Sequence, residues 1–300
     1  RLVYTGKISA KDSRGIFQGR EGKEDYLFTH FEPIDARRAF PCFDQPDFKT
    51  SWQLTLQIPK EHKAVSNTPH LSETDTRDGM KKIVFAPTKL LSSYLIALAV
   101  GPFDVVDGGK AGKQQVPVRF FTPKGRAGQA KYAAEVTATI VDRLEAYFRI
   151  PYPFEKLDSV AGPQLFGAME NAGLITYDQT LLLSDPMLDT PQRQRLYAMV
   201  AAHELAHQWF GNSVTMKWWD DLWLKEAFAT WTASKIIAEW KPEWNTRTTD
   251  LRGKFGAITT DSRVATRRVR QPIDSKDDIS NAFDSITYQK GSAVIRMFES

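Results

Sequence analysis

Apolar and polar residues alternate along "SWQLTLQIP" (51–59), with Trp52, Leu54, Leu56 and Ile58 on one side. A period of two predicts a strand with one buried face. "KKIVFAPT" (81–88), "SSYLIALAVG" (92–101) and "VPVRFFTP" (116–123) are apolar runs set off by polar turns, and they predict further strands. "DGGKAGKQQ" (107–115) is rich in Gly and Lys and reads as an exposed turn. Beyond it the period lengthens. Tyr132, Val136, Ile140, Leu144 and Phe148 recur every four residues, the stripe of an amphipathic helix from Gln129 to Phe148 that Pro151 and Pro153 bring to an end. Short strands are expected at 156–163 and 172–178, and helices at about 190–210, 220–240, 243–258 and 288–300. The pattern predicts an α+β protein: an antiparallel β domain over residues 1–105, then an α-rich domain over 106–300.

Composition narrows the function classes. The length of 300 residues accommodates two domains, and 42% hydrophobic residues suffice for their cores. Forty basic residues stand against 36 acidic ones, scattered except for "TRRVR" (266–270). Such a balance describes a solvated surface rather than a nucleic-acid groove, so no nucleic-acid partner is expected. The single cysteine, Cys42, excludes internal disulfides and a multi-cysteine zinc site. The longest apolar candidate, "YLIALAVGPF" (94–103), falls short of the roughly 18 residues that span a bilayer, and no membrane span is expected. The chain opens at Arg1 and stops at Ser300 inside a helical pattern, which suggests a piece of a longer protein.

"AAHELAHQWFG" (201–211) uses two of the five histidines. On a helix, positions i and i+4 share one face, so His203 and His207 can bring two imidazoles to one metal ion. Glu204 sits beside them, able to take a proton from a water activated there. Zinc lowers the pKa of such a water towards about 7, and a carboxylate base completes the chemistry of carbonyl hydrolysis. H-E-x-x-H arises by chance in roughly one chain in a hundred of this length, so a third ligand has to be found. A third histidine in the pattern H-E-x-x-H-x-x-G-x-x-H is excluded by Phe210 and Ser213. Asp220 and Asp221 stand at a helix start, where carboxylates usually cap. Glu239 lies beside Lys241 and reads as solvated. Glu226 has Leu222, Trp223, Ala229 and Thr230 as its helical neighbours. A carboxylate on so apolar a face needs a partner, either a metal ion or an interior salt bridge.

The spacing H-E-x-x-H-x18-E and the segment "WWDDLWLKEAFATW" resemble the gluzincin metallopeptidases, in particular the M1 aminopeptidase family. The resemblance implies a thermolysin-like catalytic domain with one Zn2+ on His203, His207 and Glu226 and with Glu204 as the base. "FGAMENAG" (166–173), read alone, is a turn with a solvated Glu170. It is similar to the exopeptidase motif of that family, which implies that Gly167 and Ala168 hold a peptide as an added strand. The same likeness has Met169 touch the first side chain and Glu170 bind the α-ammonium. "THFEPIDARRAFPCFDQPDFKTSW" (29–52) resembles the N-terminal signature and implies Glu32 as a second ammonium partner. "FDSITYQKGSAV" (283–294) is similar to the tyrosine segment. Tyr288, on its own a core aromatic at a helix start, would then donate to the oxyanion.

Four positions depart from the family pattern: His30 where Gln is usual, Lys225 and Ala227 about Glu226 where Asn-Glu-Gly is frequent, and Ala233 where an acid often buttresses a zinc histidine. The expected protein is a zinc metalloaminopeptidase acting on peptides with a free N-terminus. Two alternatives stay open at this point: the epoxide-opening branch of the family, and a non-catalytic peptide-binding homologue.

Overall fold

The computed structural model describes residues 1–185 and 187–299. Its first part holds seven strands: β1 (Gly15–Glu21), β2 (Glu24–His30), β3 (Thr55–Pro59), β4 (Lys63–Ser66), β5 (His70–Asp75), β6 (Met80–Phe85) and β7 (Leu98–Gly101). They form two antiparallel sheets, ordered β1-β2-β7-β4 and β3-β6-β5. Ile58, Ala64, Ile83, Phe85 and Val100 pack between the sheets. The alternation expected over 51–59 survives as a buried face, although ladder pairing is confined to β3.

The segment 92–101 is strand only at its end. Ser93–Leu95 form a 3-10 turn, because the Ser92 hydroxyl bonds the Pro46 carbonyl and the Ser93 hydroxyl bonds Asp44 at 2.6 Å. Buried Asn67 supports the same stretch. Its side-chain amide donates to the carbonyls of Leu95 (2.8 Å) and Ala172 (2.9 Å) and accepts from the Ala97 N–H (2.9 Å). Asn67→Ala orphans two acceptors and a donor in the interior. Stability is expected to fall by about 3 kcal/mol, read as an earlier midpoint in urea denaturation.

The second part is built on a five-stranded sheet of order β11-β12-β10-β9-β8. Its strands are β8 (Asp104–Ala111), β9 (Val116–Thr122), β10 (Leu157–Gly162), β11 (Ala168–Met169) and β12 (Leu174–Asp178). Strands β9, β10 and β12 run parallel, while β8 and β11 pair antiparallel at the two edges. The turn expected at 107–115 is therefore largely strand. A register shift between Asp107 and Lys110, with Gly109 at φ +78°, carries the chain through the Gly-rich run, and only 112–115 turn.

Helices follow: α1 (Lys131–Phe148), α2 (Gln179–Leu182), α3 (Pro191–His207), α4 (Leu222–Trp240), α5 (Thr246–Asp261), α6 (Lys276–Asn281) and α7 (Gly291–Glu299). Helix α1 carries the predicted stripe, with Ile140 and Leu144 fully buried, and ends at Arg149 in the left-handed conformation (φ 57°) before Pro151 is reached. Thr190 accepts from the Arg193 N–H at 3.4 Å and Pro191 occupies the first helical position, which fixes the start of α3. The helix expected from 288 begins instead as a π-helical turn, Ile286–Lys290.

The α3–α4 contact positions the site. Ala198, Ala201, Ala202, Leu205, Ala229, Ala233 and Ile237 are all buried in one cluster. Small side chains on both helices let them approach closely, and the histidine-bearing face of α3 meets the glutamate-bearing face of α4. Ala233 belongs to this contact, and an acid there would be buried among apolar neighbours.

Candidate metal and peptide site

His203 and His207, one turn apart on α3, direct their Nε2 atoms to within 3.0 Å of each other. Glu226 of α4 brings Oε2 to 3.3 Å from one and 3.4 Å from the other. Zinc bonds of about 2.0–2.2 Å at tetrahedral angles separate ligand atoms by roughly 3.3 Å, so this triangle has the size a zinc ion requires. Glu204 is buried beside it, and its Oε2 finds no hydrogen-bond partner in the protein. An orphaned carboxylate oxygen next to two converging imidazoles fits a site that takes a cation and water.

The imidazoles are oriented from behind. His207 Nδ1 lies 3.1 Å from the Phe210 carbonyl, which can only accept. A proton therefore sits on Nδ1, and Nε2 is the ring atom that faces the site. His203 Nδ1 lies 3.3 Å from the Thr230 hydroxyl. Gly211, at φ +135°, lets the chain turn under His207, where a Cβ would sit 3.0 Å from Nδ1. Thr230→Val keeps the shape and removes the bond to His203. Zinc affinity is expected to fall about 10- to 100-fold, checked by chelator competition.

Ionisation follows the same geometry. Burial acts to raise Glu226, but Lys225 and His207 outweigh it and hold the carboxyl well below its usual range. Burial acts to lower His207, yet Glu170 and Glu226 lift it to about 9, while burial keeps His203 below its ordinary value. Burial and then Glu170 push Glu204 well up. A divalent cation at the triangle acts on Glu204 in the opposite sense.

A second constellation adjoins the first. Glu32 follows β2 and Glu170 follows β11, and both are buried. The Lys225 ammonium bonds Glu32 Oε1 and Glu170 Oε1 and pairs with Glu226 Oε1 at 3.2 Å. Its Nζ also lies 4.9 Å from the centre of the Tyr94 ring. Burial and Glu170 raise Glu32 to about 8, against the pull of Lys225.

The segment that carries Glu170 is a sheet edge. Ala168 and Met169 pair with Tyr177 and Thr176 on one side only, so the outer side of β11 is open to another strand. Gly167 turns at φ +64°, and its carbonyl accepts from the Asp178 N–H at 2.7 Å. Met169 is buried in the cluster that also holds Phe31 and Tyr94. Tyr288, in the π-helical turn, stacks obliquely on His203 with ring centres 6.1 Å apart. Burial, then Glu226, hold its phenol well above its ordinary pKa, so it stays protonated as a donor.

Comparison with known proteins identifies the family. The family model described as the peptidase family M1 domain matches residues 132–300, and that of the peptidase M1 N-terminal domain matches residues 1–95. The chain belongs to peptidase family M1. Among relatives of this M1 chain, aminopeptidase M1-B of Oryza sativa subsp. japonica is 42% identical over the whole chain and 34% of its own length. Probable aminopeptidase 2 of Sulfurisphaera tokodaii is 39% identical over 99% of the chain and 38% of its own length. Glutamyl aminopeptidase of Mus musculus is 38% identical over 90% of the chain and 29% of its own length. The chain thus spans about a third of the curated relatives it matches.

Several supporting residues of this M1 site are invisible to spacing arguments. Gln208 and Asn212 both donate to the Glu170 carbonyl, at 2.9 and 2.7 Å, and Gln208 Oε1 accepts from the Gly173 N–H at 3.1 Å. They tie the histidine helix to the 166–173 segment. Their one sequence signal is a pair of amides following the second histidine. Lys156, buried, donates to the Gly173 carbonyl at 2.8 Å and pairs with Asp158 at 2.7 Å. Arg267 bonds Asp284, the Ala282 carbonyl and the Thr287 hydroxyl, and so braces the turn that presents Tyr288. Asp220 and Asp221 do not cap α4: both pair with Arg270, at 2.7 Å each, because the "TRRVR" run packs beside them. No helix among the described residues is long and apolar enough to cross a membrane.

Proposed function

We propose that this M1 chain carries the zinc site of an aminopeptidase, with His203, His207 and Glu226 holding one Zn2+. The observation that carries the reading is the ligand triangle, with sides of 3.0, 3.3 and 3.4 Å. When bound, zinc supplies Lewis acidity to the scissile carbonyl and the attacking water. Glu204 takes the proton of that water and delivers it to the leaving amine. Tyr288 donates its phenolic hydrogen to the developing oxyanion, an interaction worth about 3 kcal/mol in a preorganised site. The open edge of β11 takes the peptide backbone at Gly167 and Ala168, with Met169 for the first side chain. Glu170 and Glu32 hold the α-ammonium, which limits cleavage to the first peptide bond. The division into a β-rich domain to residue 105 and a thermolysin-like catalytic domain from 106 belongs to the same reading.

The test is metal content coupled to turnover. One zinc per chain, loss of aminoacyl-amide hydrolysis on chelation, and recovery on adding zinc back are the expected results. Hydrolysis that survives complete metal removal would overturn the reading.

A further inference from the structure

The position between Glu32 and Glu170 already contains an ammonium group, that of Lys225. The ammonium hydrogen-bonds Oε1 of Glu32 and Oε1 of Glu170 and forms an ion pair with Oε1 of Glu226 at 3.2 Å. The side chain is only 2% exposed, on the interior of α4 against Tyr94. This is how a free peptide N-terminus would be received, and the group comes from the protein itself. Glu32 and Glu170 each give Lys225 one oxygen, and among the described residues Oε2 of neither has a protein partner. A second ammonium can join by the unused oxygens while Lys225 stays in place.

We propose that Lys225 is a specificity-determining residue that shares the two carboxylates with the substrate's α-ammonium and thereby weakens the site's hold on it. The inference rests on the ammonium-binding reading of Glu32 and Glu170. Its basis is charge as well as geometry. Glu32, Glu170, Glu204 and Glu226 are buried together, and among the described residues Lys225 is the one cationic side chain that bonds them besides the histidines. With a divalent cation on the ligand triangle and neutral imidazoles, the four carboxylates, when all ionised, carry one charge more than the cation and Lys225 together. One incoming ammonium completes neutrality, and nothing in the site attracts a second. A neutral residue at 225 leaves the empty site one charge more negative, and like-charge repulsion between the two ammonium groups disappears. Asparagine, frequent in the family at this place, is such a residue.

The test compares an amine with its neutral counterpart in the zinc-loaded protein. Affinities of 3-methylbutylamine and 3-methylbutan-1-ol are measured by calorimetry or ligand-observed NMR for the unmodified protein, Lys225→Asn and Lys225→Met. Both variants remove the charge, and Met keeps the length, so either one that folds is sufficient. The amine is expected to bind at least tenfold tighter in the variants, about 1.4 kcal/mol, with the alcohol unchanged. Unchanged or weaker amine binding in a folded variant, or an equal change for amine and alcohol, would reduce Lys225 to a structural counter-ion. Glu170→Gln in the same assay separates the two layers. If it leaves amine binding intact, the ammonium-site reading itself fails. If it abolishes amine binding while the Lys225 variants gain nothing, only the role of Lys225 fails.

Discussion

Glu204→Gln is expected to retain zinc and to lose about three orders of magnitude in turnover. Glu204 contributes no atom to the ligand triangle, which is closed by His203, His207 and Glu226. Its carboxylate is buried, and Oε2 is unpartnered in the protein. Glutamine fills the same space and keeps an acceptor oxygen, but it cannot take a proton at neutral pH. General acid–base catalysis is typically worth 10²–10⁴-fold, which sets the size of the expected loss. Zinc analysis and kcat on the same preparation check it. Near-normal turnover with zinc in place would remove Glu204 from its assigned role, and loss of zinc would make it a ligand.

Glu170→Ala is expected to lower kcat/KM for substrates with a free amine by roughly two orders of magnitude, mainly through KM. Removing one partner of a buried charge pair costs 2–5 kcal/mol or more. The fold survives the change, because Gln208 and Asn212 hold the backbone carbonyl of Glu170 and not its side chain. Lys225 also keeps Glu32 and Glu226 as partners. Steady-state kinetics on an aminoacyl amide measure the effect. An unchanged KM would contradict the ammonium role.

How much of this was legible in the sequence differs from element to element. Helix α1 was visible because one of its faces is solvated, so its apolar stripe repeats every four residues. Helices α3 and α4 gave their positions but not their contact, since alanines carry that interface and alanine has no strong period of its own. The hairpin β1–β2 leaves no apolar alternation in the sequence although Gly15, Phe17 and Gly19 alternate inward, because two of these three residues are glycines and not apolar side chains. Strand β5 is exposed at every position and gave no apolar alternation at all; backbone pairing with β6 holds it.

The site divides similarly. Residues close in sequence, such as His203, Glu204 and His207, declare themselves by helical spacing. Glu226 follows from its apolar neighbours and from family resemblance, and the structure brings it to the two histidines. Glu32, Glu170 and Lys225 come from three distant segments, and nothing local in the chain announces that the lysine would sit on both carboxylates. Spacing makes Thr230 a neighbour of Glu226, yet it faces His203, a relation that depends on the angle between two helices. Contacts of that kind are set by packing, not by pattern.

The central claim is that this M1 chain works from the free end of a peptide at a zinc site. Its most direct test is the hydrolysis of a panel of aminoacyl amides, each offered with a free and with an N-acetylated terminus, by the zinc-loaded protein. The account predicts cleavage of the free set and none of the acetylated set above background. Equal cleavage of both sets would contradict it.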